Sequence, residues 1–306
     1  DSQLRMIFAC CHPSIPVESQ LPLALKTLCG LSVAEIARAF LKDPETIAKR
    51  IYRAREKIRT ERIELELPAA SGITARLDAV LHCLYLLFNE GYHSSHSDHT
   101  IREDLCEEAM RLTYMLTQYK PTDLSRTNAL MALFCFQSSR LQSRIDDKGT
   151  IILLQHQDRS KWFTPLIQKG NYFLERAAVE ETSVYHIEAA IAYLHARAPS
   201  FAETNWKAIS SLYQVLYRYD PTPFVAMNRA IAMAYAGDTE RALLELYAIK
   251  GLKNYNLYYS TLAEVYALGR QQDKASEYYE KALALTVSKA ERDLLKSKWE
   301  GLSGNG

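Results

Sequence analysis

Glycine and proline are scarce in this 306-residue sequence, with 11 and 10 residues, and alternating runs of β-branched residues are nearly absent. These absences argue against an architecture of short strands and tight turns. Alanine and leucine instead recur at spacings of three and four residues almost throughout, which is typical of amphipathic helices. With 48% hydrophobic residues, the chain is long enough for two or three domains with packed cores. We therefore predict an all-α fold.

The six cysteines have neither a disulfide-like nor a C-x-x-C spacing. This pattern argues against a disulfide framework and favours a reducing, cytoplasmic setting. The sequence also lacks a signal peptide, a lipidation motif and an apolar run of transmembrane length, so we expect a soluble protein with no membrane partner. It begins at Asp1 and enters a predicted helix almost at once, as we expect for part of a longer polypeptide.

Net charge is low for the whole chain, at +1, but the average conceals a local excess. Seven positive and only two negative side chains lie between Thr46 and Arg62. Such an excess favours a polyanionic partner. The positive residues are Lys49, Arg50, Arg53, Arg55, Lys57, Arg59 and Arg62, and the negative ones are Glu56 and Glu61.

Two short helices are predicted around this basic stretch. Ser32 and Glu35 form a capping box, which starts a helix that ends by Leu41. Asp43 caps a second helix with Pro44 at its first position, where a missing N–H costs nothing. The pair predicts a helix-turn-helix. The apolar face of the first helix is Val33, Ile36, Ala37 and Phe40, and that of the second is Ile47, Ile51, Ala54 and Ile58.

The polar side of the second helix carries the candidate DNA contacts. We predict that Thr46, Lys49, Arg50, Arg53 and Lys57 face outward. As a hypothesis, Thr46, Lys49 and Arg50 read bases, whereas Arg53, Lys57 and Arg55 neutralise phosphates. The alternative is an ordinary helical hairpin with a solvated charged face.

The same stretch resembles region 4 of bacterial sigma factors of the extracytoplasmic-function type. The matching pattern is "LS..EIA" from Leu31, followed by "T...R..RAR.K.R" from Thr46. Sigma factors usually place a glycine in the turn, where this chain has Leu41 and Lys42. The resemblance implies binding to the upstream (−35) promoter element and to core RNA polymerase.

Further motifs resemble the subgroup of these sigma factors that carries a helical, tetratricopeptide-like C-terminal extension. Region 2, which precedes region 4 in such proteins, is absent from this sequence, so we do not expect these residues alone to carry out initiation. The motifs are "IFACCHP" (7–13), "LFNEGY" (87–92), "DLCEEAMRL" (104–112), "QDRSKW" (157–162), "EAAIAYLHARAP" (188–199) and "NRAIAMA" (228–234).

The C-terminal third contains an internal repeat. Ala230 and Ala263, like Ala242 and Ala275, are 33 residues apart, close to the roughly 34-residue period of tetratricopeptide repeats. Small residues at these offsets are predicted to lie in the core. The concave surface of such repeats would receive a partner, either a protein or another part of the same polypeptide. The predicted domains are a helix-turn-helix domain (1–64), a linker (65–72), a helical middle domain (73–200) and the repeats (201–302).

Polar residues of the middle section form the second candidate site. We predict a buried polar network that locks the section against its neighbours, with Gly91 as a helix C-cap and Arg159 paired with Glu90 or Asp104. The alternative is a catalytic pocket with Glu90 or Asp158 as general base, assisted by His156 or His195. No nucleophile elbow, phosphate loop or metal signature accompanies them, so we do not expect an enzyme. The network comprises Asn89, Glu90, Asp104, Asp158, Arg159 and Trp162.

Two clusters have metal-like composition. His93, His96 and His99 lie in a serine-rich stretch that is typical of a loop, and imidazoles in a flexible loop rarely make a closed site. Adjacent Cys10, Cys11 and His12 diverge around a helix, and we predict the cysteines to be small buried hydrophobes. We expect neither a metal nor a cofactor. Taken together, these patterns predict a sigma factor's C-terminal part; the competing class is a protein-interaction scaffold whose hairpin does not bind DNA.

Overall fold

The computed structural model describes residues 1–28, 30–40, 42–63, 70–92, 101–147, 151–178, 181–286 and 289–303. This part of the chain contains fifteen α-helices and no strand beyond one antiparallel bridge between Ile145 and Ile151. The predicted all-α fold is therefore confirmed. None of these helices combines the length and the apolar character that crossing a bilayer requires.

The helices are numbered in chain order. They are α1 Ser2–Cys10, α2 Val17–Leu28, α3 Val33–Ala39, α4 Pro44–Glu61, α5 Ala70–Tyr92, α6 Glu103–Thr117, α7 Ser125–Ser138, α8 Thr164–Ala177, α9 Val184–Arg197, α10 Trp206–Tyr219, α11 Pro223–Tyr235, α12 Thr239–Ala248, α13 Asn256–Leu268, α14 Gln272–Leu285 and α15 Lys289–Ser303. Three single 3₁₀ turns, Leu141–Ser143, Leu154–His156 and Arg159–Lys161, lie between α7 and α8.

Contacts divide the chain into two compact units. Unit 1 comprises Asp1–Leu141 and Pro165–Glu181, and unit 2 comprises Gln142–Thr164 and Thr182–Gly306. The predicted domain limits differ from this division and stay a prediction. Helix α5 already begins at Ala70, so the last three residues of the predicted linker are helical.

Unit 1 joins the first four helices to the helical section that follows them. Helix α2 packs against α4 and α5, and α1 packs against α5. The guanidinium of Arg76 in α5 donates a hydrogen bond of 3.0 Å to the carbonyl oxygen of Phe8 in α1. Deeper in the unit, the rings of Phe88 and Phe134 stack with their centroids 4.2 Å apart, which joins α5 to α7.

Gly91 lies inside α5 with a helical backbone, so its predicted role as a C-cap is wrong. A Cβ atom added there would lie 2.7 Å from the carbonyl oxygen of Arg102 and 2.8 Å from Sγ of Cys106. The carbonyl of Gly91 also accepts a hydrogen bond of 2.8 Å from the N–H of Arg102. The glycine is therefore required because the start of α6 approaches the α5 backbone closely.

Unit 2 is formed mainly by α9 to α15, in which consecutive helices pack against each other and α11 also packs against α13. Its cores contain the alanines that the 33-residue interval singles out. The prediction that these small residues lie in the core is confirmed, because all of them are fully buried: Ala230, Ala242, Ala263 and Ala275.

Candidate nucleic-acid interface

Helix α3 begins at the predicted capping box. Oγ of Ser32 accepts a hydrogen bond of 3.1 Å from the N–H of Glu35, and Oε2 of Glu35 accepts one of 2.6 Å from the N–H of Ser32. Ile36 and Ala37 are buried, and Val33 and Phe40 are half-buried, as the apolar face requires. The helix ends at Ala39, and Leu41 lies outside the described residues.

Helix α4 begins at Pro44, and Asp43 is its N-cap. Oδ1 of Asp43 accepts from the N–H of Thr46, and Oδ2 accepts from the Thr46 hydroxyl, both at 2.7 Å. These donors hold the pKa of the Asp43 carboxyl below its ordinary value. Because the hydroxyl hydrogen of Thr46 is used by the cap, this side chain can offer a base only an acceptor.

The predicted buried stripe orients α4. Ile47, Ile51 and Ala54 are buried, and Ile58 is half-buried. Successive side chains turn by about 100° around an α-helix, so Lys49, Tyr52 and Glu56 lie on the side opposite the stripe. That side is the one able to approach the floor of a groove.

The six predicted DNA contacts occupy more than one side of α4. Thr46, Arg50, Arg53 and Lys57 form one edge, on which Arg53 is exposed and the other three are of intermediate exposure. Arg55 follows Thr46 by nine residues and is therefore turned by about 180° from it, onto the other edge. Arg55 is exposed, as is Arg59 one turn later. The basic residues therefore border the exposed side of α4 on both edges, instead of forming a single face.

Ion pairs engage only part of this charge. Nζ of Lys49 lies 2.7 Å from Glu45, Nζ of Lys57 lies 2.5 Å from Glu61, and the guanidinium of Arg59 lies 2.7 Å from Glu56. Exposed pairs of this kind are weak and are readily exchanged for another anion. Within the described chain, Arg50, Arg53 and Arg55 have no carboxylate within ion-pair distance. These three guanidinium groups can meet a polyanion without first breaking an ion pair.

Tyr52 is a further candidate contact that the basic pattern of α4 did not indicate. Its side chain is 66% exposed and lies between Lys49 and Arg53 along α4. Large apolar side chains are usually turned inward in an amphipathic helix. The signal that could have found it is its position one residue beyond Ile51, which places it outside the buried stripe.

The polar network of the middle section is divided between the two units. In unit 1, Glu90 is buried and Asn89 is half-buried, whereas exposed Asp104 lies 3.2 Å from the guanidinium of Arg102. In unit 2, Asp158 is exposed and its Oδ1 accepts from the N–H of Ser160 at 3.0 Å. The predicted single network, including a pair between Arg159 and Glu90 or Asp104, stays a prediction.

Arg159 and Trp162 contact each other in unit 2. The guanidinium of Arg159 lies 4.5 Å from the centroid of the buried Trp162 ring. Nη1 of Arg159 also donates to the carbonyl oxygens of His195 and Ala198. These contacts connect the turn at Arg159–Lys161 to the C-terminal end of α9. Arg159 therefore stabilises the packing of this turn.

Only some of the candidate metal ligands lie in the described part of the chain. Within the described ranges, no group of three or more His, Cys, Asp or Glu side chains could hold a metal ion. His93, His96 and His99 lie outside the described residues. The prediction that Cys10 and Cys11 are buried is confirmed, and burial raises the pKa of each thiol to about 12. Both thiols are therefore protonated at neutral pH and poor metal ligands.

Comparisons with known proteins agree with this geometry. The family described as Sigma-70, region 4 matches residues 5–58, which include α3 and all but the last three residues of α4. A family of unknown function, DUF6596, matches residues 76–178. No solved structure matches the chain. The N-terminal part is accordingly a DNA-binding helix-turn-helix domain of a sigma-like factor.

One relative covers almost the entire chain. An uncharacterized protein of Rhizobium meliloti (strain 1021) is 34% identical over 305 residues, which are 99% of this chain and 72% of the relative. The chain therefore belongs to the same family as this Rhizobium meliloti protein, as a sigma-like chain in which a region 4 helix-turn-helix domain is followed by a DUF6596 domain.

Proposed function

We propose that this chain is the C-terminal part of an extracytoplasmic-function sigma factor. Helix α4 binds the −35 element of promoter DNA, and the chain directs core RNA polymerase to that promoter in the cytoplasm. The observation that carries the proposal is the helix-turn-helix at residues 33–61. Its second helix has, on both sides of an exposed ridge, arginines with no ion pair to any described carboxylate.

The two basic edges suit a helix lying lengthwise in the major groove. A helix in this groove has base edges in front of it and a phosphate backbone on either side. In this arrangement Lys49 and Tyr52 face the bases, and Arg50 and Arg53 face the phosphates of one strand. Arg55 and Arg59 face the phosphates of the other strand. This assignment moves Arg50 from base reading to phosphate contact.

Salt-dependent DNA binding tests the proposal. Fluorescence anisotropy of a promoter duplex should show an affinity that falls as the salt concentration rises. Arg53→Glu should weaken binding, and it should lower the slope of log affinity against log salt concentration by about one released counterion or more. Arg218→Glu is the matched control, because Arg218 is an exposed arginine on α10 of unit 2. Binding that is absent, or equally affected by both variants, would contradict the proposal.

For residues 201–302, we propose a tetratricopeptide-like extension that regulates DNA binding by docking on a protein partner or on the rest of the polypeptide. The pairs α11–α12 and α13–α14, with fully buried alanines 33 residues apart, support this proposal. Glu264 of α13 accepts hydrogen bonds from Tyr235 of α11 and Lys298 of α15. Glu264→Ala should therefore loosen the extension, and unchanged promoter affinity in this variant would argue against regulation through DNA binding.

The second candidate function is a protein-interaction scaffold that does not bind DNA. It is favoured by the near-neutral net charge of +1 and by the number of helices outside residues 1–61. A scaffold would show no dependence of duplex binding on salt in the anisotropy experiment.

We also propose that the chain is not an enzyme. Asp158 is exposed and serves as the cap of a 3₁₀ turn, and it belongs to unit 2 whereas Glu90 belongs to unit 1. A ligand bound near residues 87–92 in crystals of the protein would be the simplest evidence that the chain is an enzyme.

A further inference from the structure

Three exposed tyrosines form a surface on unit 1, away from the helix-turn-helix in sequence. Tyr114 and Tyr119 lie on or just after α6, and Tyr172 lies on α8, with 40%, 49% and 53% of their surfaces exposed. Neither the region 4 match nor the proposed −35 contact uses them. We call Tyr114, Tyr119, Lys120, Lys169, Tyr172 and Arg176 the tyrosine surface.

Contacts join the Tyr114 side of the tyrosine surface on α6 to the Tyr172 side on α8. The ring of the buried Phe173 lies between two of the tyrosines, with its centroid 6.3 Å from that of Tyr114 and 5.1 Å from that of Tyr172. Arg176 donates to the Tyr172 hydroxyl at 3.0 Å and pairs with Asp123. The backbone of Tyr119 lies next to this pair, because the N–H of Asp123 donates to the Tyr119 carbonyl oxygen at 2.9 Å.

Cations accompany the rings. Nζ of Lys169 lies 4.5 Å from the centroid of Tyr114, and Cζ of Arg176 lies 5.6 Å from that of Tyr172. Lys120 is exposed beside Tyr119. Close to the rings the carboxylates are Asp123, which pairs with Arg176, and Glu175, whereas the other acidic residues of α6 precede Tyr114 by six residues or more. Within the described residues, Lys120 and Lys169 have no carboxylate within ion-pair distance, so both are available to an anionic ligand.

The type of apolar side chain that is exposed further limits the class of ligand that fits this surface. Apart from Val17, the large hydrophobic side chains exposed on the described part of unit 1 are all tyrosines, whereas exposed leucines lie in unit 2. The exposed neighbours of these rings include Gln118 and Gln168, which are polar. A surface that offers flat rings and cations without aliphatic groups suits stacking of bases better than docking of an apolar helix.

We propose that the tyrosine surface binds single-stranded DNA, with bases stacked on Tyr114 and Tyr172 and phosphates beside Lys169, Arg176 and Lys120. Double-stranded DNA does not fit the same chemistry, because its bases are stacked on each other and have no free faces. Binding at this surface is tolerant of sequence, since every base has a face that can stack. It goes beyond the proposed −35 contact and does not depend on it.

Anisotropy of a labelled oligothymidylate with the full chain tests this proposal. Tyr114→Ala combined with Tyr172→Ala should weaken binding at least about tenfold, while Tyr114→Phe, which keeps the ring, should bind like the wild type. Tyr219→Ala, at a tyrosine of equal exposure on α10 of unit 2, should have no effect. Binding of the promoter duplex should be unchanged in all three variants, which separates this result from failure of the −35 proposal.

Two further measurements keep the proposal falsifiable. An oligonucleotide that contains 5-iodouracil should crosslink to Tyr114 or Tyr172 of the wild-type chain, as located by mass spectrometry. Arg53→Glu in α4 should leave oligothymidylate binding intact. Crosslinks confined to α4, or unchanged affinity in the double alanine variant, would overturn the proposal and leave a protein partner as the occupant of this surface.

Discussion

Nη1 of Arg102 lies 3.8 Å from Oε1 of Glu35, the acid of the capping box that starts α3. Arg102 belongs to the segment that the DUF6596 family matches, whereas Glu35 belongs to region 4. Glu35 is buried, although it is a charged side chain. Arg102, the residue just before α6, therefore contributes a cation to the helix-turn-helix. The segments that the two families match contact each other at this pair.

The pair predicts that Arg102→Ala destabilises unit 1. Removing a cation beside a buried carboxylate leaves its desolvation less compensated, and we expect the free energy of unfolding to fall by roughly 1–3 kcal/mol. Urea unfolding followed by circular dichroism measures the change. Arg102→Lys keeps the charge and is the control that should lose less. Equal stability of wild type and Arg102→Ala would show that the pair is incidental.

Asp43 predicts a dependence of stability on pH. The Thr46 hydroxyl and N–H lower the pKa of Asp43 in the folded chain from its ordinary value of 3.8. The unfolded chain therefore binds this proton more tightly, so the stabilisation is present above pH 3.8 and is lost as pH falls through the lower folded pKa.

Asp43→Asn isolates that effect, because asparagine is also a good N-cap but does not titrate. Urea midpoints at neutral pH and below the ordinary pKa of Asp43 should differ less for the variant than for the wild type. An identical acid-induced loss in both proteins would contradict the assignment.

Gly91→Ala should disrupt the junction of α5 and α6. The added Cβ would lie within 2.9 Å of two backbone atoms, which cannot move aside as a flexible side chain can. We expect a loss of roughly 1–3 kcal/mol in the free energy of unfolding. Gly269→Ala is the matched control, since no atom there would lie closer than 3.5 Å. Similar losses in the two variants would exclude steric crowding as the cause at Gly91.

Glu45→Gln should tighten promoter binding by several-fold, because it removes a carboxylate beside the DNA and releases Lys49 from its pair. Stability should change little, since the pair is exposed. Glu277→Gln breaks a pair of the same spacing with Lys281 on α14 and should leave DNA affinity unchanged. Anisotropy with the same duplex compares the two, and weaker binding by Glu45→Gln would place this side of α4 away from DNA.

Tyr52→Ala should weaken promoter binding without changing the salt slope, because the lost contact carries no charge. Replacing thymine by uracil at single positions of the duplex removes only a methyl group. At a base that Tyr52 touches, this replacement should weaken the wild type but not the variant. If every position affects both proteins equally, Tyr52 does not face the bases.

The local features of the helix-turn-helix could be predicted because each depends on residues three or four apart. The capping box at Ser32, the cap at Asp43 and the stripe from Ile47 to Ala54 are all present as predicted. Helix geometry is set by neighbouring backbone hydrogen bonds, so a short stretch of sequence contains the information it needs. The same reasoning could have separated Arg55 from Thr46, since nine residues reverse the direction of a helical side chain.

Sequence by itself determined the all-α class, the caps, the basic helix and the buried alanines of the repeat interval. Only the tertiary structure decided why Gly91 is a glycine, which cation meets Glu35, and that Tyr114 and Tyr172 share one surface. These relationships join residues that are 11 to 67 positions apart. No helical period connects such positions, and they meet only because burial of the apolar faces of α5, α6 and α8 brings them together.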